Sequence, residues 1–296
     1  MVIDIHVHLA LLDIYPQYWL NGIIGNMFSK IEDEDKRKKL SESFLKKTLN
    51  DYNCDKLVKS MDKAGITHSV VVIADFDYAE DKGSSSLEEL YKRHHLSINK
   101  HMDRLHLFGG CDPRRGNKGY DSFEKGIKTY GFKGLKLYPP CGFEINDPLL
   151  YPLYDICSAK NLPVLFHVGP SLPEMKNRFD YPNSLHEICS AYKSINFIFG
   201  HGAILRYDDC NMIAAKHKNA YLELSGFQYL FTRQHDLASK LKHLMNVCPE
   251  QVVFGTDWPL FNDQKKSVEY ILQSDYLTDI EKEKILYGNV SKIIQV

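Results

Sequence analysis

Residues 134–168 read GLKLYPPCGFEINDPLLYPLYDICSAKNLPVLFHV, and they contain the pattern that decides the fold. A short apolar run opens this stretch at Gly134–Tyr138, and a second closes it at Pro163–Val168. Between the two runs, apolar residues at the spacing of one helix face precede Asn161-Leu162-Pro163, where proline cannot continue a helix. The stretch therefore predicts a strand, a helix and a second strand, which form one βαβ unit.

The same alternation of short apolar runs and longer amphipathic segments extends over the whole chain. Strands that alternate with helices indicate a parallel sheet, and eight such units close a (β/α)8 TIM barrel. An open doubly wound sheet usually has fewer strands and a glycine-rich first turn, which this sequence lacks. We therefore predict an α/β fold with one barrel domain over residues 1–296. The eight predicted strands are Val2–Val7, Ile66–Ala74, Leu105–Cys111, Gly134–Tyr138, Pro163–Val168, Asn196–Gly200, Ala220–Leu224 and Val252–Gly255.

The connection after the first strand is far longer than the two to six residues usual between a strand and the next helix. This helical insertion covers residues 9–53, begins with the aromatic residues Tyr15, Tyr18 and Trp19, and continues as a charged run at Lys30–Lys47. In a barrel it leaves the C-terminal end of the first strand, beside the catalytic mouth. It is either a helix packed on the rim or a lid that lends aromatic surface to a substrate. The sequence leaves both interpretations open.

The amino-acid composition excludes some classes of binding partner. The 296 residues include 37 basic and 38 acidic side chains, for a net charge of −1, which lacks the basic footprint of nucleic-acid binders and membrane-surface proteins. Seven scattered cysteines without a CxxC pair are typical of reduced thiols and not of a structural zinc site. Neither a signal peptide nor an apolar run of roughly 18 residues is visible. We expect a cytoplasmic protein that acts on a small molecule, with no nucleic-acid or membrane partner and with homo-oligomerisation left open.

Five side chains with metal-ligand chemistry lie at the ends of predicted strands. His6 and His8 project to the same face of the first strand because strand periodicity is two, so both imidazoles can chelate one ion. His167 and His201 end the fifth and sixth strands. Asp257 ends the eighth, where a buried carboxylate needs a metal or a histidine as its partner. In a closed barrel these strand ends meet at one mouth.

Six segments, spread from residue 3 to about residue 290, carry a more specific signal. They are His6-Val7-His8, Phe132–Pro139, Phe166–Gly169, Gly200–Ala203, Phe254–Pro259 and Tyr287-Gly288-Asn289. In these segments and in their order, the chain resembles the amidohydrolase superfamily, in particular the amidohydrolase-related branch that includes decarboxylases of the aminocarboxymuconate-semialdehyde type. The resemblance implies a barrel of the metal-dependent hydrolase type with a divalent metal ion, for which we expect Zn²⁺.

The resemblance also implies roles for single residues. His6, His8 and His167 match metal ligands, and Asp257 matches the aspartate that binds the metal and handles the proton of a water. His201 matches the sixth-strand histidine that contacts the substrate, or a second ion where one exists.

Lys136 falls where some two-metal members carry a carboxylated bridging lysine, although its surroundings resemble the one-metal branch more closely. We therefore expect one ion per chain, leave a second ion open, and interpret Lys136 as an ion-paired or carboxylate-binding lysine. Further candidates for the substrate pocket are Trp19, Tyr138, Arg178, Glu223 and Trp258.

Three hypotheses for function follow. The leading one is a metal-dependent hydrolase of a lactone, an amide or another ester-like carbonyl. The ion would lower the pKa of a water towards about 7, Asp257 would take its proton, and His201 would support the developing negative charge. The second is a non-oxidative decarboxylase of an aromatic or unsaturated carboxylic acid, because the same ligands serve both reactions. The third is a barrel that binds a metal or small ligand without turnover.

Overall fold

The computed structural model describes residues 1–79, 86–169, 171–172, 175–176, 182–226, 237–259 and 263–294. Eight parallel strands form one sheet in chain order, which confirms the predicted (β/α)8 barrel. All eight predicted strands are present, with small differences at their ends. They are β1 Ile3–Val7, β2 His68–Val72, β3 Leu105–Gly110, β4 Gly134–Leu137, β5 Val164–His167, β6 Phe197–Gly200, β7 Ala220–Glu223 and β8 Val252–Val253.

Backbone hydrogen bonds between β1 and the chain around β8 close the barrel. The Ile5 amide donates to the carbonyl of Phe254 at 3.1 Å, and the His8 amide donates to the carbonyl of Trp258 at 2.8 Å. These bonds join the outer edge of the first strand to the chain around the last and bring the C-terminal ends of the two strands together.

Helices fill the connections and cover the outside of the barrel. The predicted insertion after β1 contains the first two helices. The third helix then connects to β2, as the helix of a βαβ unit does. The helices are α1 Gln17–Met27, α2 Glu34–Thr48, α3 Asp55–Ala64, α4 Leu87–Ile98, α5 Gly116–Tyr130, α6 Tyr151–Ala159, α7 Asn183–Ala191, α8 Tyr207–Lys216, α9 Leu237–Val247, α10 Gln264–Leu272 and α11 Asp279–Glu283.

The helix α3 shows how local sequence specifies these elements. Leu57, Met61 and Ala64 recur at the spacing of one helix face, and all three are buried. Gly65 ends the helix with a φ of 71°, a left-handed conformation that glycine adopts without steric cost. Among the described residues, no helix combines the length and the apolar character that crossing a bilayer requires.

An irregularity in β1 shapes the barrel interior. Ile3 and Ile5 pack with buried residues of the strands around the barrel, and strict alternation would then turn His6 outward. The pairing register between β1 and β2 shifts between Asp4 and Val7, however. An extra residue in a strand changes the alternation of its side chains, and His6 does face inward, where it contacts Glu223 and Lys136.

Candidate active site

The mouth of the barrel brings the ends of β1 and β8 into contact. His6 lies on β1 and His8 follows it, while Asp257 follows β8. The Oδ1 atom of Asp257 lies 3.2 Å from Nε2 of His8 and 3.7 Å from Nε2 of His6. Burial raises the pKa of Asp257, but the hydrogen bond with His8 and the surrounding positive groups lower it, and the net pKa is below its ordinary value.

These three residues fit a divalent metal ion. Their ligand atoms all lie within 4.8 Å of one another, and two imidazoles with one carboxylate form a donor set typical of Zn²⁺ and of other transition metals. Burial holds the pKa of His6 well below its ordinary value, so the ring is in the neutral form that binds metals. His6, His8 and Asp257 are therefore the residues that would hold the ion.

Two further imidazoles continue the site along the neighbouring strand ends. His167 ends β5 and His201 follows β6, and their ring centroids lie 4.7 Å apart. The ring of His201 also lies 5.1 Å from that of His6. Among the described residues, two groups of three have mutually close ligand atoms: His6, His8 and Asp257, and His6, His201 and Glu223. His167 belongs to neither group. Its role as a fourth ligand stays a prediction.

The backbone at two of these positions is strained. His201 and Asp257 have φ angles of 65° and 57°, in the left-handed region that side chains other than glycine seldom adopt. Such conformations persist where the surrounding structure enforces them, and they concentrate at functional sites. Both residues follow a buried strand, and the side chains of both line the cavity at the barrel mouth.

Glu223 on β7 holds two of the histidines in place by hydrogen bonds. It is fully buried, and its Oε2 atom accepts hydrogen bonds from Nδ1 of His6 at 3.1 Å, from the His201 amide at 2.9 Å and from the Ser225 hydroxyl at 2.6 Å. Since Nδ1 of His6 is occupied in this way, its Nε2 is left for the mouth, as in carboxylate–histidine–metal triads. The space for this carboxylate exists because residue 255 is glycine: a Cβ atom there would lie 2.0 Å from Oε1 of Glu223.

The sequence predicted Glu223 only as a residue that lines the pocket, and it missed this role. A single carboxylate in an otherwise apolar strand was the available signal, because a buried carboxylate requires partners.

Glu223→Gln is expected to weaken divalent metal binding about 10- to 100-fold, the range typical for loss of such a supporting carboxylate. The amide can turn its NH₂ group towards Nδ1 of His6 and favour the tautomer with a protonated Nε2. Competition with a chelator measures the affinity. The exposed Glu187→Gln on α7 is the control and should bind metal as the parent protein does. Unchanged affinity in Glu223→Gln would contradict the supporting role.

Lys136 on β4 lies at the centre of this cluster. Its side chain is almost completely buried, and its Nζ atom lies 3.2 Å from Nε2 of His6. Burial lowers the pKa of Lys136 to about 8, although Asp257 and Glu223 oppose the shift. The lysine therefore faces the same space as the predicted ligands.

A cavity of about 280 Å³ opens above these groups. The imidazoles, Asp257 and Lys136 at the strand ends form what we call its inner part. The mainly apolar residues that line it from the connecting segments form its outer part. Tyr15, Trp19 and Ile23 of the insertion line it, so the insertion does supply aromatic surface to the mouth. The proposed lid movement stays a prediction.

The other residues that the sequence predicts to contact the substrate do not all line this cavity. Tyr138 lines the cavity, and its ring centroid lies 5.1 Å from that of His167. Trp258 is not among the described residues that line the cavity, and its backbone pairs with Val7 in barrel closure. Arg178 lies outside the described residues. Phe76, which follows β2 and faces Tyr138 at 5.1 Å, lines the cavity without having been predicted.

Comparison with known proteins identifies a family and structures of the same fold. The family described as Amidohydrolase matches residues 3–293, while no curated protein sequence matches the chain. Among solved structures, 5-carboxyvanillate decarboxylase from Sphingomonas paucimobilis is similar, with 13% identity and a TM-score of 0.67, and the alignment covers 100% of this chain and 99% of that chain.

Two further structures illustrate the range of activities on this fold. A dihydroxybenzoic acid decarboxylase from Polaromonas sp. JS666, solved with bound manganese and 2-nitroresorcinol, is 17% identical with a TM-score of 0.59, over 99% of this chain and 96% of that chain. A 4-oxalomesaconate hydratase from Rhodopseudomonas palustris is 17% identical with a TM-score of 0.62, over 99% of this chain and 95% of that chain. At these identities the likeness establishes the shared fold.

Proposed function

Since the chain belongs to the amidohydrolase family, we propose that it is a metal-dependent decarboxylase, which removes CO₂ without oxidation from a small aromatic or unsaturated carboxylic acid. The observation that carries this proposal is the division of the cavity into a charged inner part and an aromatic outer part. A decarboxylase needs both: cationic groups that hold the carboxylate, and apolar surface that keeps water from the electron-rich carbon. Two of the similar structures are decarboxylases of aromatic acids, which adds support.

The inner part contains the groups that would hold the carboxylate. A divalent ion bound by His6, His8 and Asp257 would supply Lewis-acid chemistry to the carboxylate and a neighbouring oxygen of the substrate. Lys136 faces the same space, and its ammonium group would attract the anionic end of the substrate. In this orientation the rest of the substrate lies against the aromatic outer part.

The reaction requires one proton at the carbon that loses CO₂. The bond between this carbon and the carboxylate breaks, its electron pair stays on the carbon, and the proton takes up that pair. We assign proton delivery to His201. Its Nδ1 atom lies 3.1 Å from the Ser225 carbonyl and therefore donates to it. The proton that passes to the carbon would thus be a second one, on Nε2 of the imidazolium form, and its transfer would leave a neutral imidazole. Asp257 is the second candidate, but its pKa lies below its ordinary value, so its carboxylate would first have to take up a proton.

The outer part of the cavity would exclude water from the reacting carbon. Trp19 stacks on Tyr15 with ring centroids 4.8 Å apart, and Phe76 lies 5.5 Å from Trp19. These rings come from the insertion and from the end of β2, so they cover the site from one side. Without solvent competition, electrostatic interactions of the carboxylate with its cationic partners are stronger.

The decisive experiment measures two products in parallel. Protein loaded with Zn²⁺ or with Mn²⁺ is incubated with hydroxylated benzoates and unsaturated diacids, and separately with lactones, amides and esters. We expect CO₂ release from the acids and its loss after chelation. Acid release from lactones, amides or esters without CO₂ release would instead support the hydrolase, because the same residues could activate water. Inactivity on both panels with a full metal site would contradict both enzymes and favour a binding barrel.

A further inference from the structure

The hydroxyl of Ser225 is a buried polar group to which the proposed reaction gives no role. Ser225 follows β7, two residues after Glu223, and it is fully buried. Its Oγ atom lies 2.6 Å from Oε2 of Glu223, 2.8 Å from Nδ1 of His201 and 3.3 Å from Nδ1 of His6. One hydroxyl therefore contacts a proposed metal ligand, the carboxylate that holds this ligand, and the imidazole to which we assign proton delivery.

The direction of these hydrogen bonds follows from the carboxylate. Both oxygens of Glu223 accept backbone amide protons, Oε1 from Ser225 at 2.5 Å and Oε2 from His201 at 2.9 Å. A hydroxyl has a single proton, and the Ser225 hydroxyl donates it to Oε2 of Glu223. The hydroxyl oxygen can therefore only accept from Nδ1 of His201. The Ser225 carbonyl also accepts from this nitrogen, so both contacts require a proton on Nδ1.

These bonds hold His201 at two points. Glu223 accepts from its backbone amide, at a residue with a left-handed φ of 65°. Ser225 accepts from its ring, and the two Ser225 oxygens are the hydrogen-bond partners that Nδ1 has among the described residues. The next residue, Gly226, places no side chain beside the ring, since even a Cβ atom there would lie 3.7 Å from Nδ1. The rotation of the imidazole about its bond to Cβ thus depends on Ser225.

We infer that Ser225 is a positioning residue: its hydroxyl, held by Glu223, accepts a hydrogen bond from Nδ1 of His201 and so fixes the direction in which Nε2 faces the substrate. The inference rests on the proposed function for the use of this direction, because His201 delivers its proton from Nε2. The hydrogen bonds themselves do not depend on the reaction catalysed. Glu223 then serves two residues, the metal ligand His6 directly and the proton donor His201 through Ser225.

The first measurement needs no substrate. Nuclear magnetic resonance of the zinc-loaded full chain, with ¹⁵N in the histidine rings, detects ring N–H protons that hydrogen bonds protect from exchange with water. The signal that disappears in His201→Asn belongs to His201. In Ser225→Ala we expect the Nδ1–H signal of His201 to move upfield and to exchange about tenfold faster, because the closer of its two acceptors is gone. The signal of His6 should persist, since Glu223 still accepts from its Nδ1.

The second measurement separates positioning from a general structural role. On the best substrate of the two panels, Ser225→Ala should lower kcat about tenfold, the scale of one hydrogen bond that orients a reacting group. KM and metal affinity should stay near the parent level, whereas a loosened site would change all three together.

Ser69→Ala is the matched control. Ser69 on β2 is equally buried, but its Oγ atom has no hydrogen-bond partner among the described residues. Removal of this hydroxyl should leave kcat, metal affinity and the His201 signal unchanged. Thermal unfolding verifies that both serine variants fold.

The possible results separate this inference from the proposed function. A shifted His201 signal in Ser225→Ala together with a lower kcat supports the inference, whichever panel gives the product. A shifted signal without product from either panel supports the hydrogen bond and contradicts the proposed function. An unchanged or undetectable His201 signal overturns the inference, even if the protein releases CO₂. A shifted signal with an unchanged kcat, or with a parallel loss of metal, overturns the positioning role.

Discussion

His201→Asn is expected to lower kcat about a hundredfold or more, the scale for loss of a general acid or an electrostatic partner at the reacting centre. Near-stoichiometric divalent metal should remain, because the ligand atoms of His6, His8 and Asp257 lie together without His201. His201 also lies close to His6 and Glu223, but there Nδ1 of His6 bonds to the Glu223 carboxylate. Asparagine suits this position, since it tolerates the φ of 65° better than most residues. Elemental analysis gives the metal content, and kcat is measured on the best substrate of the two panels.

The neighbouring His167→Asn is the comparison for this variant. If His167 is a metal ligand, as the sequence predicts, His167→Asn should lose both metal and activity, whereas His201→Asn should lose activity alone. The two rings lie only 4.7 Å apart, so general disturbance of the site would affect both variants alike. If His201→Asn loses metal as readily as His167→Asn, one ion per chain is wrong, and a second ion near Lys136 becomes the better description.

Asp257→Asn is expected to reduce metal affinity more than a hundredfold, beyond the range for residues that only support a ligand, and to abolish turnover. The substitution keeps the size of the side chain but removes the negative charge that balances the cationic groups around it. As at position 201, asparagine tolerates the left-handed backbone, here with a φ of 57°. A competition assay with a chelator measures the affinity, and thermal unfolding shows whether the fold is retained.

The control for this variant is Asp263→Asn, which changes an aspartate that follows soon after in the sequence. Asp263 caps the N-terminus of α10 by accepting a hydrogen bond from the Lys266 amide, and asparagine caps helices about equally well. Metal affinity and turnover should therefore stay at the parent level. Full metal occupancy in Asp257→Asn would contradict its assignment as a ligand and leave the imidazoles as the only candidate metal donors among the proposed residues.

Short stretches of this sequence specify the barrel almost completely. Each strand, helix and stop is encoded within about ten residues, as in α3, where the apolar spacing and Gly65 determine the helix and its end. The pair of His6 and His8 and the position of Asp257 after an apolar strand are local features too. Parallel strands in a closed barrel present all their C-terminal ends at one mouth. The fold class alone therefore predicted that His6, His8 and Asp257 lie at that mouth.

The tertiary structure alone decided which side chains touch at that mouth. Glu223 holds His6 across 217 residues of sequence, Lys136 contacts the same imidazole across 130 residues, and the irregularity in β1 accompanies the inward position of His6. Trp19 reaches the cavity through the packing of the insertion. Such contacts depend on barrel closure, strand register and the exact filling of space, which are properties of the whole chain. Periodicity within a segment reports only the segment's own conformation.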